Sequence, residues 1–382
     1  MENKYLNRTI KFTVVVPCYN EEKTLKKCVE RVLKIADESL YLEIIIIDDG
    51  STDRSLAIAK ELEAKYREIR VFEHPRNQGK GAALRTGFQK ATGDFVAVQD
   101  GDLEYNPIEL KNLLVPLVNN EADVVLGSRF LSTGVHRVLY FWHSLGNHFL
   151  TFISNMFTDL NLTDIETCYK VFRRDVIQGI DIKENRFGFE AEIVAKVAQM
   201  RLRIFEMGIS YHGRTYEEGK KIGIKDGMRA IYCILRYNAH KAPIPIQFIL
   251  YVLIGGTAAL FNLLVFLGML AAGWTVTVAA PVAFILAAVA NYLLCILLLF
   301  RHKARWNSVN EMIIYFVVVA LVGVLDLGTT KFFILLGTHA WISKVFASII
   351  GLIFNFLGRR FLVFPESPRG PWKPQGGISE GD

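Results

Sequence analysis

The sequence predicts a two-part protein, in which a mostly parallel α/β domain is followed by an all-α bundle of four transmembrane helices. Between residues 11 and 130, short β-rich runs alternate with amphipathic helical stretches, which is typical of a parallel sheet with right-handed crossovers. From Ile244 to Phe300, 57 consecutive residues contain no Asp, Glu, Lys or Arg. Core helices seldom stay apolar on every face for that long, so a wholly soluble chain is excluded.

The composition agrees with two parts of different character. The 382 residues are 51% hydrophobic yet 21% charged, which is unlike a disordered chain or a single soluble domain. The five cysteines show no CxxC spacing, so neither a zinc site nor a disulfide framework is predicted. The net charge of +6 suits an anionic membrane surface or a phosphorylated substrate, and we expect no nucleic acid as a partner.

The first part contains five β-rich runs with four helical stretches between them. The runs are Phe12–Val16, Glu43–Asp48, Ile69–Glu73, Asp94–Gln99 and Asp123–Gly127, and the helical stretches are Glu22–Asp37, Asp53–Tyr66, Gly81–Ala91 and Pro107–Asn119. Ligands of such sheets bind at the carboxyl ends of the strands. Polar clusters follow the first four runs at those ends: Pro17–Glu21, Asp48–Asp53, Asn77–Gly81 and Asp100–Glu104. Each cluster alone is consistent with ordinary turns and caps, but four in succession indicate a binding site.

The fourth cluster carries the clearest chemistry. Asp100 and Asp102 stand at i and i+2 with a glycine between them, so their carboxylates can converge on one hard divalent cation. Such a cation is needed where a pyrophosphate leaves, because it neutralises the charge that develops on the departing oxygens. The stretch Gly79–Gly81 opens a helix and could approach a phosphate, although no G-x-x-x-x-G-K-[ST] loop occurs.

The second part has four apolar stretches of the length needed to cross about 30 Å of hydrocarbon, which takes about 20 residues. They cover residues 246–272, 276–300, 312–337 and 341–364. The stretch Arg301–Arg305 between the second and third is basic, whereas the other two connections carry no charge. Both termini and everything before residue 244 are therefore expected in the cytoplasm. No signal peptide is expected, because the apolar run Phe12–Val16 is short and ends at Pro17.

A duplication at an offset of 64 residues relates the four stretches in pairs. It matches Tyr251 with Tyr315, Asn262 with Asp326, Asn291 with Asn355, and Phe300 with Phe364. Two repeated helical hairpins explain this better than four unrelated spans. Asn291 and Asn355 either tie helices together or line a lipid path, and Asp326 is expected to face the interior of the bundle.

Two further segments are expected to lie on the cytoplasmic leaflet. Phe141–Phe157 is rich in aromatic residues, and Ile224–Lys241 combines apolar with basic ones, as interfacial helices do; packing against the sheet is the alternative. The predicted domains are a first domain at residues 1–223 with an interfacial helix near 141–158, a juxtamembrane amphipathic helix at 224–243, a transmembrane domain at 244–364 and a disordered Pro/Gly-rich tail at 365–382.

The clusters Pro17–Glu21 and Asp48–Asp53, with the pair Asp100 and Asp102, resemble the GT-A catalytic domain of family 2 glycosyltransferases. Three more stretches agree with this resemblance: Gly127–Phe130, Glu166–Lys170 and Gly213–Lys221. With four spans behind that domain, the chain is similar to polyprenyl-phosphate hexosyltransferases of the dolichol-phosphate mannose synthase type. Its C-terminal part, where a duplicated Asn is followed nine residues later by Phe, resembles the GtrA-like family. The resemblance covers residues 10–365.

This resemblance implies a set of site residues. A nucleotide would be held by Pro17, Tyr19, Asn20, Glu21, Asp48, Asp49, Gly79, Lys80 and Asp100. The metal, Mg²⁺ or Mn²⁺, would be held by Asp100, Asp102 and Glu104, although mannose synthases often carry a glutamine at the last position. A lipid phosphate would be bound by Arg129, His143, Ser144, Arg214 and Lys220. The catalytic residues would be Asp100, Asp102 and Arg129.

The resemblance also implies the reaction, an inverting transfer of a hexose from GDP-mannose or UDP-glucose to polyprenyl or dolichyl phosphate at the cytoplasmic membrane face. A lipid phosphate is already an anion, so its attack needs no general base; it needs positioning and the compensation of two negative charges. A processive polysaccharide synthase is one alternative, although His302 stands where its Gln-x-x-Arg-Trp motif has glutamine. A non-enzymatic lipid-sugar flippase is another, and a homo-oligomer is left open.

Overall fold

The structure is a computed structural model that describes residues 9–131, 137–138, 140–213, 224–300 and 308–363. The chain divides into two compact units, of which the first ends at Lys241 and the second begins at Ala242. Arg214, Lys220 and the predicted tail at residues 365–382 lie outside the described residues.

The first unit is built on a seven-stranded sheet. Its strands are β1 (Ile10–Cys18), β2 (Leu40–Asp48), β3 (Ile69–Glu73), β4 (Phe95–Val98), β5 (Val124–Ser128), β6 (Lys170–Arg173) and β7 (Ile204–Gly208). They lie in the order β3-β2-β1-β4-β6-β5-β7, and of these strands only β6 runs antiparallel to its neighbours. The mostly parallel sheet predicted from the sequence is confirmed. The five predicted runs coincide with β1 to β5, whereas β6 and β7 were not predicted.

Helices follow most of these strands. Within the described residues they are α1 (Leu25–Leu33), α2 (Ser55–Lys65), α3 (Lys80–Lys90), α4 (Glu109–Val118), α5 (Phe141–Thr158), α6 (Arg174–Gln178), α7 (Phe189–Gln199) and α8 (Ile224–Asn238). The four predicted helical stretches correspond to α1 to α4. Asp53 stands before α2 instead of inside it, because its Oδ1 accepts the Ser55 N–H at 2.9 Å in a turn typical of aspartate.

The register of the sheet brings the polar clusters to one edge. The central strands are buried on both faces, as Val14, Val15 and Val16 are each 0% exposed, and the polar clusters predicted from the sequence stand at their carboxyl ends. Cys18 at the end of β1 pairs with Asp48 at the end of β2, and β4 runs parallel to β1 on its other side. The loops after β1, β2 and β4 therefore emerge side by side.

The second unit contains four long helices. They are α9 (Ile244–Ala271), α10 (Val276–Leu294), α11 (Ser308–Leu335) and α12 (Ala340–Gly358), and π-helical turns continue α10 over Cys295–Phe300 and α12 over Arg359–Val363. These helices coincide with the four predicted apolar stretches. Among the described residues, α9 alone has both the length and the mean hydropathy, 2.2, of a membrane span. The side chain of Asp326, on α11, is not among those described.

The sequence repeat is visible around Arg359, which directly follows α12. Its guanidinium lies 5.4 Å from the ring centroid of Tyr251 and 4.6 Å from that of Tyr315, the two tyrosines that the 64-residue offset matches. Arg359 Nη1 donates to Asn291 Oδ1 at 3.3 Å, and Nη2 donates to the Tyr315 hydroxyl at 3.0 Å. Asn291 therefore ties helices together, one of the two roles considered for it. Asn355 Oδ1, its counterpart, has no hydrogen-bond partner among the described residues.

Candidate active site

A cavity of about 350 Å³ lies at the carboxyl edge of the sheet. Ten of the residues predicted from the sequence line it: Pro17, Tyr19, Glu21, Asp49, Gly79, Lys80, Asp100, Asp102, Glu104 and Arg129. They come from the loops after β1, β2, β4 and β5 and from the start of α3, which are far apart in the chain. The fold thus gathers most of the predicted residues around one cavity.

Asn20 and Asp48 support the neighbouring loops and do not line this cavity. Asn20 has a left-handed backbone with φ of 55°, and its Oδ1 accepts the Thr52 N–H at 2.8 Å. Asp48 is 1% exposed, and its Oδ2 accepts the Ser51 N–H at 3.0 Å. Asn20 Oδ1 and Asp48 Oδ2 are thus engaged in the loops after β1 and β2, whereas Asp48 Oδ1 has no hydrogen-bond partner among the described residues. The nucleotide contacts predicted for these two side chains stay a prediction.

His143 and Ser144 also lie away from the cavity wall. Both belong to the first turn of α5, and neither lines the cavity. The helix approaches the site through His148 instead, whose ring centroid lies 4.3 Å from that of Phe130, the residue after Arg129. The lipid-phosphate contacts predicted for His143 and Ser144 stay a prediction, and neither residue lies at this cavity.

Asp49 joins the loop after β2 to the loop before α3. Its Oδ2 accepts the Gly79 N–H at 2.7 Å, and its Oδ1 accepts the Gln78 N–H at 3.0 Å and lies 2.7 Å from His74 Nδ1. Gly79 has φ of +103°, and a Cβ there would lie 2.3 Å from the Asn185 carbonyl oxygen. Glycine is therefore required both for the backbone conformation and for the close approach. This approach brings the segment after Asn185 to the cavity.

Lys80 is a half-buried cation at the start of α3. Its Nζ lies 2.9 Å from Asp100 Oδ1 and 3.1 Å from Glu190 Oε1. Burial opposes its charge, but the two carboxylates outweigh this effect and hold the Lys80 pKa well above its ordinary value. Lys80 therefore stays charged, and it connects the loop after β4 with α7.

The carboxylates predicted to hold a metal line the same cavity but do not all converge. Asp100 faces Lys80, and Glu104 Oε2 accepts a hydrogen bond from the Tyr211 hydroxyl at 3.0 Å. Within the described parts of the chain, no group of three or more His, Cys, Asp or Glu side chains is placed to hold a metal ion. Asp100 and Asp102 both offer the cavity oxygens of the kind that hard divalent cations prefer. This pair fits such an ion, whereas the predicted third ligand, Glu104, is turned to Tyr211.

Arg129 reaches the cavity as a cation whose position is set by Asp164. Its Nε and Nη2 donate to the two Asp164 oxygens at 2.7 and 2.8 Å. Burial tends to raise the Asp164 pKa, but Arg129 outweighs it, and this pKa lies below its ordinary value. The guanidinium also lies 5.2 Å from the ring centroid of Tyr211, within the range of a cation–π contact. The pair presents an oriented positive charge to the cavity.

Several residues that complete the cavity wall were missed by sequence reasoning. They include Tyr105, Arg186, Phe187, Glu190 and Tyr211. Four more lining residues, Cys18, Asn77, Cys168 and Glu166, stood within clusters or motifs noticed in the sequence but received no role. Arg186, Phe187 and Glu190 follow no strand of the sheet, so a search for polar residues at strand ends could not find them.

The helices α5 and α8 each pack on one side and are exposed on the other. Five large apolar side chains on α5 are exposed at helical spacing: Phe141, Trp142, Leu145, Phe149 and Phe152. On α8 the exposed side chains include Met228, Arg229, Tyr232 and Arg236. The two helices pack against each other, and Leu150 of α5 and Cys233 of α8 are buried. Each helix therefore packs against the other on one side and is exposed on the other, and the interfacial placement predicted for both helices stays a prediction.

Two family descriptions match separate parts of the chain. Residues 13–180 match Glycosyl transferase family 2, and residues 250–364 match the GtrA/DPMS transmembrane domain. Among solved structures, glucosyl-3-phosphoglycerate synthase from Mycobacterium tuberculosis, in complex with Mn²⁺, uridine diphosphate and glucosyl-3-phosphoglycerate, is 19% identical, with a TM-score of 0.47 over 59% of this chain and 79% of that chain. Nothing about ligands follows from so remote a likeness.

Three curated relatives each match about three fifths of the chain. A dolichol-phosphate mannosyltransferase from Pyrococcus furiosus is 27% identical over 60% of this chain and 65% of its own length. A dolichyl-phosphate beta-glucosyltransferase from Trichomonas vaginalis is 29% identical over 58% of this chain and 71% of its own length. A dodecaprenyl-phosphate galacturonate synthase from Rhizobium johnstonii is 28% identical over 60% of this chain and 66% of its own length. The chain thus spans just under two thirds of the first of these relatives.

Proposed function

The chain joins a family 2 glycosyl transferase domain to a GtrA/DPMS transmembrane domain, and from this premise we propose that it transfers a hexose from a nucleotide sugar to polyprenyl or dolichyl phosphate. The three relatives support this reaction class, because their names join a sugar to a dolichyl or dodecaprenyl phosphate. Those names differ in the sugar, so they leave the donor open. GDP-mannose and UDP-glucose are our leading candidates.

The observation that carries the proposal is the placement of opposite charges around one cavity. The carboxylates of Asp100 and Asp102 and the guanidinium of Arg129 line the same space of about 350 Å³. Two anions, a donor diphosphate and an acceptor phosphate, must meet in the proposed reaction, and each needs its own positive partner. Arg129, oriented by Asp164, serves the acceptor phosphate. A divalent cation, Mg²⁺ or Mn²⁺, at Asp100 and Asp102 would neutralise charge on the leaving diphosphate.

The chain's own residues have to position the reactants and need not move a proton. The acceptor phosphate is ionised at neutral pH, so it attacks the anomeric carbon directly and no general base is required. Lys80, held beside Asp100, adds a positive charge on the diphosphate side. Pro17, Tyr19 and Glu21 border the same cavity and would receive the nucleoside. Attack from the face opposite the leaving group inverts the anomeric centre.

The outer faces of α5 and α8 suit a membrane surface. Exposed aromatic side chains on α5 and exposed arginines on α8 are the two features of helices that lie in an anionic lipid interface. We place these helices on the cytoplasmic leaflet, where a lipid-borne phosphate is within reach of Arg129. We further propose that α9 to α12 are four spans with both termini in the cytoplasm, as the basic stretch at residues 301–305 favours.

The proposal is tested by product analysis with the full chain in lipid nanodiscs. Radiolabelled GDP-mannose or UDP-glucose is supplied with Mg²⁺ or Mn²⁺ and with undecaprenyl or dolichyl phosphate. We expect one donor to give an organic-extractable lipid that carries a single sugar. A polymeric product would point to a polysaccharide synthase instead. Absence of transfer from both donors to both acceptors, while the protein moves a sugar-linked lipid across a bilayer, would favour a flippase.

A further inference from the structure

The cavity contains two carboxylates to which the mechanism above assigns no task. Glu166 and Glu190 both line it, and each has one enclosed oxygen, Oε1 of Glu166 and Oε2 of Glu190, with no hydrogen-bond partner in the described parts of the chain. Glu190 is only 4% exposed. Buried acceptors without donors are rare and unfavourable in folded proteins. These two atoms therefore point to a ligand that brings donors with it.

Glu190 is held next to the diphosphate side of the cavity. It lies in the first turn of α7, and Lys80 Nζ contacts both Glu190 Oε1 at 3.1 Å and Asp100 Oδ1 at 2.9 Å. A single ammonium group reaches both carboxylates, so Glu190 lies within two hydrogen-bond lengths of the aspartate to which we assign the metal. In a nucleotide sugar, the hexose is bonded directly to the diphosphate that such a metal would hold.

Glu166 is held through its main chain. Its N–H donates to Asp164 Oδ1 at 3.2 Å, so the same aspartate that orients Arg129 also fixes this loop. The buried Lys170 Nζ donates to the carbonyl oxygens of Ile165 and Thr167, on either side of Glu166. The carboxylate is thus presented to the cavity from a loop whose polar backbone is fixed from behind.

We propose that Glu166 and Glu190 form the hexose subsite of the donor, in which their carboxylates turn to accept hydrogen bonds from sugar hydroxyls. This rests on the proposed function, because it needs a nucleotide sugar in the cavity. A hydrogen bond to a charged acceptor is stronger than one to a neutral acceptor, and sugar hydroxyls are the donors that the two oxygens lack. Two carboxylates repel a third, so the subsite selects neutral hexoses and rejects hexuronates.

The test compares binding of a nucleotide with binding of the same nucleotide carrying a sugar. Calorimetry on the full chain in nanodiscs at pH 8 with Mg²⁺ uses GDP against GDP-mannose and UDP against UDP-glucose. For the pair in which the sugar increases affinity, Glu166→Gln and Glu190→Gln should each lower nucleotide-sugar affinity about 10-fold. Glu166→Gln should leave the affinity for the nucleoside diphosphate unchanged. Glu166→Gln tests the sugar contact more specifically than Glu190→Gln, because no contact joins Glu166 to Lys80 in the described structure.

A matched control is available on the same helix. Both oxygens of Glu192 are satisfied, since they accept the N–H groups of Lys183 and Glu184 at 2.7 Å each, and this residue does not line the cavity. Glu192→Gln should therefore leave the affinity increment from the sugar unchanged, even where it lowers the melting temperature.

UDP-galacturonate provides the second readout. Where UDP-glucose is the nucleotide sugar that gains affinity from its sugar, wild-type protein should bind UDP-galacturonate at least about 10-fold more weakly than UDP-glucose, and Glu190→Gln should narrow that ratio. The proposal is overturned if the variants weaken nucleotide and nucleotide sugar equally, or if wild type binds the uronate as tightly as glucose. One combined outcome would separate this proposal from the proposed function. If the variants lose the extra affinity that the sugar provides, but wild type transfers no hexose to polyprenyl phosphate, the hexose subsite stands and polyprenyl phosphate is not the acceptor.

Discussion

Asp164 accepts three hydrogen bonds from Arg129, two from the guanidinium and one from the backbone N–H. The Asp164 side chain is 0% exposed and that of Arg129 is 6% exposed. A bidentate pair of this kind fixes the direction of the cation as well as its charge. The proposed binding of the acceptor phosphate by Arg129 therefore depends on Asp164, which orients Arg129 and is not itself proposed to contact the acceptor.

Asp164→Asn should weaken the acceptor side of the reaction selectively. The variant keeps an oxygen acceptor but leaves the buried arginine without its counter-charge, which costs about 3–5 kcal/mol of stability in buried pairs. We expect the KM for polyprenyl phosphate to rise about 10-fold or more, with a smaller change in the KM for the nucleotide sugar. Steady-state kinetics and thermal melting measure the two effects.

The control for this prediction is Asp123→Asn. Asp123 is 4% exposed and pairs with Arg203 at 2.7 Å, but it stands before β5, at the opposite end of that strand from Arg129, and does not line the cavity. The Asp123→Asn variant should lower the free energy of unfolding without raising KM for the acceptor. If KM for the acceptor rose equally in Asp164→Asn and Asp123→Asn, the effect of Asp164→Asn would reflect a general loss of folding and not the orientation of Arg129.

Asp102→Asn should abolish hexose transfer, because the pair that fits a divalent cation is reduced to one carboxylate. We expect a loss of about 100-fold or more in kcat, with binding of the lipid phosphate retained. Glu104→Gln is the matched variant, and its kcat should fall much less, since Glu104 accepts a hydrogen bond from Tyr211. Removal of metal by EDTA should stop transfer, and Mg²⁺ or Mn²⁺ should restore it. Transfer that is indifferent to EDTA would refute the metal assignment.

Glu166 should make the stability of the protein fall as the pH rises. Burial, and then the charge of Glu190, raise the pKa of Glu166 to about 7, whereas an unfolded glutamate titrates near about 4.3. Between these values the folded chain binds a proton that the unfolded chain releases. The stabilisation is therefore complete at low pH and is lost as the pH rises through about 7.

Glu166→Gln cannot titrate and isolates this effect. The free energy of unfolding of wild type minus that of the variant should decrease between pH 5 and pH 8, by on the order of 1–3 kcal/mol. Melting of the metal-free full chain in detergent across that range measures the difference. A difference that stays flat or increases with pH would contradict the raised pKa.

The aromatic face of α5 should matter for the lipid acceptor and not for the nucleotide. Phe149 and Phe152 are 53% and 61% exposed, so changing both to serine removes little packing from the core. We expect transfer to a long-chain acceptor in anionic vesicles to fall several-fold, because each buried aromatic contributes about 1–3 kcal/mol to interfacial binding. Ile108→Ser, at a site 50% exposed, is the control. If wild type, the double serine variant and Ile108→Ser were equally active, the proposal that α5 lies at the membrane interface would be refuted.

Tyr315 should contribute more to the stability of the second unit than its repeat partner Tyr251. Both rings flank Arg359, but of these two described tyrosines only Tyr315 accepts a hydrogen bond from it through its hydroxyl, at 3.0 Å. Tyr315→Phe should therefore destabilise the protein by about 1 kcal/mol more than Tyr251→Phe. Thermal melting of both variants in detergent gives the comparison. Equal losses would mean that the rings and not the hydroxyl hold Arg359.

Much of the fold could be predicted because its signals are local. The β-rich runs of β1 to β5 and the four apolar helices of the second unit depend on residues near each other in the chain. The strands β6 and β7 were missed, since β6 has only four residues and inserts between β4 and β5 in the opposite direction. Its position depends on pairing with Phe95 and Val124, which no periodicity reveals.

The features of the site likewise divide into those that local sequence predicts and those that only tertiary contacts reveal. By itself, the sequence determined that polar side chains follow the buried strands and that Asp100 and Asp102 stand close together, because strand ends and i, i+2 spacing are local properties. The tertiary structure decided which side chains meet: Lys80 with Glu190, Arg129 with Asp164, and Glu104 with Tyr211. These partners are distant in the chain, and the loop at Gly79 packs closely against Asn185, five residues before Glu190.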